Sequence, residues 1–231
     1  MKKTMELLTA VVLALFLLVG CSGDKSQPAP NQLSEPGAQS TSAAQETGKS
    51  YTPGTWVDET HFESPFWGLS FTLPEKWLAS TPEELGYVTD AGGELLSDEQ
   101  RMQAERAFEE GKSVTEMGVT NISNSNILMV VDNFTGVPGG TMLTAELYAD
   151  ILREQLQQVP GMAYEIAGGV SKRTIADKEF TVLTASVEDY GMTQWYAMIK
   201  QDSYMCTLVC TFATEGGAEA MEDVLTHFTA L

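Results

Sequence analysis

The sequence predicts an α+β fold, an antiparallel β-sheet flanked by helices, and three observations predict it. Hairpin-length links join the late strand-like segments, which parallel strands cannot use. Two other segments carry apolar residues on one helical face only and must bury that face against a sheet. The run Ile127-Leu128-Met129-Val130-Val131 is apolar without alternation, as expected of a strand covered on both sides.

In chain order, Trp56-Val57 and Gly68–Leu73 read as strands, the second closed by Pro74. Pro74-Glu75-Lys76-Trp77 should turn the chain and tuck the indole beneath a helix. Ser97-Asp98-Glu99-Gln100 fits a capping box and predicts a helix to about Glu110. Its apolar stripe of Met102, Ala104, Ala107 and Phe108 is thin, so it should be a loosely held surface helix. Val114–Ile122 and Ile127–Asp132 read as strands joined at Asn124-Ser125. Leu147, Tyr148, Ile151, Leu152, Leu156 and Val159 then recur at helical spacing until Pro160-Gly161 stops the helix. Strands follow at Tyr164–Ile166, Lys178–Val187, Met192–Lys200 and Tyr204–Phe212, with turns at Asp189-Tyr190-Gly191 and Gln201-Asp202-Ser203. Met221, Val224, Leu225 and Phe228 mark a last amphipathic helix, with Glu215 and Glu219 near its start and His227 near its end, as the helix dipole favours.

The first 50 residues have a different character. Lys2 and Lys3 precede the apolar run Leu7–Val19, broken only by Thr9 and too short for the ~20 residues of a spanning helix. A short apolar run behind basic residues and ahead of small ones reads as an export signal over residues 1–20. The junction Leu18-Val19-Gly20-Cys21 resembles the lipobox of bacterial lipoproteins. That resemblance implies a diacylglycerol on the Cys21 thiol, cleavage after Gly20 and an anchored, acylated N-terminus. Residues 21–50 then form the lipidated cysteine and a tether. Ser22–Ser50 holds no aromatic residue and one large apolar one, Leu33, so it cannot bury enough surface to fold. A flexible tether of that length reaches ~30 Å. Residues 51–231 suit a single globular domain.

The chain carries 13 basic and 32 acidic side chains, a formal net charge of −19. Loss of Lys2, Lys3 and Glu6 with the signal takes the remainder to about −20, a sign that repels nucleic acid and anionic lipid. The expected partners are the membrane, through lipid at Cys21, and another envelope or membrane protein, with no nucleic acid.

The stretch Phe62–Trp77 contains Trp67-Gly68-Leu69-Ser70-Phe71-Thr72-Leu73-Pro74-Glu75-Lys76-Trp77, an aromatic-Gly-x-x-Phe-x-x-Pro-x-x-Trp pattern. It resembles the opening of small clostridial lipoproteins with a PsbP-like fold, and Val114–Asn121 is similar to their second landmark. The likeness runs from about Trp56 to the C-terminus. It implies an α/β/α sandwich and, since PsbP is an accessory subunit of a membrane photosynthetic complex, a role other than catalysis. These landmarks include no site motif, so no functional residue carries over.

Trp56, Trp67, Trp77 and Phe71 could form an aromatic platform, although strand aromatics are expected to pack into the core. Strand alternation puts His61 and Glu63 on one face with Phe62 on the other, and two ligands do not make a zinc site. Glu94, Asp98, Glu99, Glu105, Glu109 and Glu110 read as a solvated helix surface rather than a catalytic acid–base pair. Asp132-Asn133, at a strand end, reads as turn chemistry. Ser22-x-x-Lys25 lies in the tether, where nothing positions the lysine. Cys206 and Cys210 fall on one strand face with Tyr204, Leu208 and Phe212, and four strand residues span ~13 Å, beyond disulfide reach. They read as small buried hydrophobes. Nucleophile-elbow, Walker and His-Glu-x-x-His patterns are absent. The sequence thus predicts no catalytic, cofactor or metal residue, and Cys21 as a lipidation site. The expected function is a lipid-anchored, extracytoplasmic accessory or binding module on the cell membrane. Alternatives are a surface hydrolase assembled from distant residues and a soluble partner of a membrane complex or transporter.

Overall fold

The computed structural model describes residues 50–85, 96–123 and 125–231. The signal, Cys21, the tether up to residue 49, Glu94 and Asn124 lie outside them, as do the side chains of Glu99 and Gln100. The strands are β1 (Thr55–Trp56), β2 (His61–Ser64), β3 (Leu69–Thr72), β4 (Trp77–Ala79), β5 (Ser113–Asn121), β6 (Asn126–Asn133), β7 (Glu165–Ile166), β8 (Ser171–Ile175), β9 (Lys178–Val187), β10 (Met192–Gln201), β11 (Tyr204–Ala213) and β12 (Phe228–Ala230). Besides a helical turn at residues 82–85, the α-helices among the described residues are α1 (Asp98–Glu109), α2 (Ala145–Leu156) and α3 (Gly217–Leu225).

These strands form two antiparallel sheets. The large one has the order β4-β5-β6-β11-β10-β9-β7, with β8 also paired to β9, and the small one the order β1-β2-β3-β12. The α+β class holds. The helices share the covering of the large sheet with a second, smaller sheet. Central strand β6 is apolar on both faces. Leu128 and Val130 join one core with Tyr148 and Leu152 of α2 and Ala104 of α1. Ile127, Met129 and Val131 join another with Met221, Val224 and Leu225 of α3 and with Phe62, Leu69 and Phe71 of the small sheet. α3 alone is too short to cover the second face, and the small sheet covers the rest.

Two local expectations are altered for the same reason. The turn at Pro74–Trp77 forms, with the Trp77 amide donating to the Pro74 carbonyl, but Trp77 then opens β4 opposite Asn121 and its indole packs into the second core, which α3 and the small sheet share. Phe228 is not a helix residue, because α3 stops at Leu225 and Phe228 opens β12 opposite Phe71, leaving His227 beyond the helix end. In both cases a strand partner far away in sequence overrides local pattern. The thin apolar stripe expected of the first helix is present. α1 buries only its alanine side, with Ala104 and Ala107 inside and Met102 exposed. The β9–β10 link ends on Gly191 at φ 57°, a left-handed position glycine takes without cost.

Candidate functional site

Four places concentrate polar chemistry on this frame. The first is made by a bulge. Pairing of β5 with β6 shifts between Thr115 and Met117, so Glu116 is the extra residue and its side chain is re-aimed. Its carboxylate accepts from the Tyr51 hydroxyl at 2.7 Å, the Gly54 amide at 3.0 Å and the Ser64 hydroxyl at 2.9 Å. The Trp67 indole N–H lies toward the same carboxylate without meeting hydrogen-bond geometry. Burial pushes Glu116 above its ordinary carboxylate range, although these donors pull the other way. Tyr51 also stacks on Tyr204 at 4.7 Å and meets Phe66 edge-on at 5.2 Å. Glu116 therefore straps the point where the N-terminal segment joins the domain onto the large sheet.

The second place is Asp132. It is not the turn residue expected but a buried residue within β6, bonded to Ser113 of β5 and Tyr148 of α2. Its neighbour Asn133 does behave as turn chemistry, accepting the Thr135 amide at 2.9 Å. The third is Gln194 on β10, whose carbonyl accepts from Tyr196 at 2.7 Å and Tyr164 at 3.3 Å while its amide donates to Thr211 at 3.0 Å. All four residues are buried, so this network fixes β10 against β11 and the segment after α2.

The fourth place is open to solvent. A groove of about 430 Å3 runs between α2 and residues 166–170. Glu146, Asp150, Arg153 and Gln157 form one wall, a stripe along the outer face of α2, while Tyr148, Ala149, Leu152 and Leu156 face inward. Thr144 caps the helix, accepting the Leu147 amide. Ile166, Ala167 and Val170 give the opposite wall an apolar lining, with Gly168 and Gly169 between them. The Lys172 ammonium binds Glu146 and holds its carboxyl at about 2. Asp150 pairs with Arg153 at 2.6 Å. The groove thus offers both signs of charge beside an apolar wall, within the volume range of small-molecule sites.

The remaining residues singled out in the sequence are accounted for by packing and pairing. Trp67, Phe71 and Trp77 are core, and Trp56 lies half-buried against Phe62, so no aromatic platform forms. His61 and Glu63 share a face of β2 as expected, 3.5 Å apart, with Ser70 at 3.2 Å. A hydroxyl therefore stands beside a base, the arrangement a hydrolase needs. However, Glu63 and Ser70 both address Nε2, whereas activation of a hydroxyl requires the carboxylate on the other nitrogen. Nδ1 instead faces Thr72 at 3.4 Å. Asp98 and Glu105 pair with Arg101, and Glu110 with Lys112. Cys206 and Cys210 are free and buried in the second core, where burial pushes Cys206 up and Cys210 to about 12. Such thiols are poor nucleophiles. Among the described residues, no three His, Cys, Asp or Glu side chains are grouped to hold a metal ion.

No family model matches the chain, and no curated protein matches it. Among solved structures, it is similar to the solution structure of cyanobacterial PsbP (CyanoP) from Synechocystis sp. PCC 6803, with 10% identity and a TM-score of 0.43, over 80% of this chain and 100% of that one. The assignment to the α+β class, antiparallel sheets with helices against them, rests on the strand pairing and packing described above.

Proposed function

We propose that this protein is a lipid-anchored, extracytoplasmic binding module that works without catalysis, an accessory to another envelope or membrane protein. The observation that carries the reading is the register of the first residues: basic pair, short apolar run, Gly20, Cys21, then a tether without large apolar residues beyond Leu33. Two or more acyl chains at Cys21 would hold it stably on the membrane, where one chain is marginal. Kinship with the clostridial lipoproteins whose landmarks the sequence resembles belongs to this reading. The internal carboxylates support it too. Glu116 and Asp132 spend their acceptor capacity on protein donors, so both act as fasteners. The α2 groove is the face best suited to a ligand or a partner segment, because it combines depth, both charge signs and an apolar wall. Nucleic acid is a poor partner for a chain of this charge.

The test is acylation. Expressed in a bacterium fed an alkyne fatty acid, the wild-type protein should carry the label and sediment with membranes. Cys21→Ala should lose the label. A wild-type protein that is unlabelled and wholly in the soluble fraction overturns the reading.

A further inference from the structure

Asp132 is a buried carboxylate with no cation beside it. It is 1% exposed, and its oxygens accept from the Ser113 hydroxyl at 2.5 Å and the Tyr148 hydroxyl at 2.6 Å. β5 presents only the neutral Ser113. Lys112, next to it in sequence, is engaged with Glu110. β11 places Met205 opposite Asp132 and carries Thr207 two residues on. The Cys206 thiol, in the core on the other side of the sheet, is pushed up partly by Asp132 itself. From α2 the titratable group is the Tyr148 phenol, which burial and Asp132 together keep neutral. Burial outweighs the two donors and raises Asp132 to about 6.

The two protonation states need different hydrogen bonds. Ionised, Asp132 accepts from both hydroxyls, and its charge stays in an apolar layer. Protonated, Asp132 can donate to the Ser113 oxygen and still accept from Tyr148, so one proton taken up from solvent keeps the tie to α2 and removes a buried charge. No covalent bond changes.

Tyr148 is the polar tie between α2 and this part of the sheet, and the outer stripe of the same helix is one wall of the groove. We propose that α2 is a proton-sensitive element: protonation of Asp132 lets the helix close on the sheet with no buried charge beneath it, ionisation loosens it, and the groove along its outer stripe changes accordingly. The last clause rests on the groove being the binding face. The first two do not.

Hydrogen exchange on the full-length protein in detergent tests this, with rates corrected for the intrinsic effect of pH. From pH 5 to pH 7.5 the opening equilibrium of α2 amides should rise about tenfold, within the about hundredfold ceiling that the shift of Asp132 allows. Amides of β10 and β11 should not follow. Asp132→Asn should flatten the α2 response. Should that variant fail to fold, Asp132→Leu serves, since it too removes the titrating group, and it should flatten the response as well. A wild-type α2 indifferent to pH overturns the proposal, as does a response that survives both substitutions. Neither result touches the anchoring reading, which stands or falls on acylation of Cys21.

Discussion

Gly54 and Glu116 show how much of this fold hangs on single residues. A β-carbon at Gly54 would stand 2.3 Å from Phe62 Cζ, 2.8 Å from Glu116 Oε2 and 2.9 Å from Ser64 Cβ. Glycine is required there by close approach, since two of those atoms belong to strand β2 beneath the strap. Gly54→Ala should therefore cost about 1–3 kcal/mol, the usual penalty for overpacking, read as a lower urea midpoint at unchanged slope. Gly168→Ala is the control, because nothing lies within 4 Å of the added carbon, and it should stay within about 0.5 kcal/mol of wild type. Loss of stability in both variants alike would mean that contact at Gly54 is not the cause. At this scale the sequence is uneven to read. Cys206 and Cys210 were legible as buried, same-face residues, because strand alternation is local. Glu116 was not, because its partners Tyr51 and Ser64 lie 65 and 52 residues away and a bulge leaves no mark in composition. Asp132 was misread as turn chemistry because a carboxylate near a strand end is ordinarily solvated.

Elements with strong periodicity were readable, and those held by partners were not. α2, β6 and β9–β11 follow from apolar pattern and turn residues alone. β8 did not, since Ser171-Lys172-Arg173-Thr174 is polar throughout, as suits a strand that pairs with β9 on one side only. β12 is three residues long, and its place follows from pairing with β3 rather than from its own sequence. The β8–β9 link gives a prediction at this scale. Ile175 pairs with Lys178, and the two residues between, Ala176 and Asp177, sit at φ 50° and 59°. That is the backbone of a tight hairpin turn that prefers glycine at its second position. Asp177 is exposed, so substitutions there report on backbone alone. Asp177→Val should lose about 1–2 kcal/mol, because a β-branched residue in the left-handed region is strained. Asp177→Gly should match or exceed wild type. If the two variants unfold at the same urea concentration, the turn is not under the strain that its dihedrals imply.

For the molecule as a whole, two cores back to back explain why a domain this acidic folds. The large sheet is apolar on both faces, each face has its own cover, and apart from Glu116 and Asp132 the charge is left to the outside. Among the described residues no helix is long and apolar enough to cross a membrane. A net charge of −19 over 231 residues means that surface carboxylates repel one another on average. Screening relieves that repulsion, so raising sodium chloride from ~0.02 to ~0.5 M, which shortens the screening length from roughly 20 to roughly 4 Å, should raise the melting temperature. Calcium could add a specific effect only through converging ligands, roughly six to eight oxygens, usually on a glycine-bearing loop. The acidic side chains seen here are instead divided among partners: Asp98 and Glu105 with Arg101, Glu110 with Lys112, Glu146 with Lys172, Glu222 with Arg173. Glu116 and Asp132 are committed inside the fold. Each of these would have to give up a partner to bind an ion, and among the described residues no three acidic, His or Cys side chains gather to hold one. Millimolar calcium should therefore raise the melting temperature no more than sodium chloride of matched ionic strength. A larger rise that a chelator abolishes would show that carboxylates now assigned to pairs and solvent converge on an ion, and the helix stripe around Asp98 and Glu105 would be the first place to look.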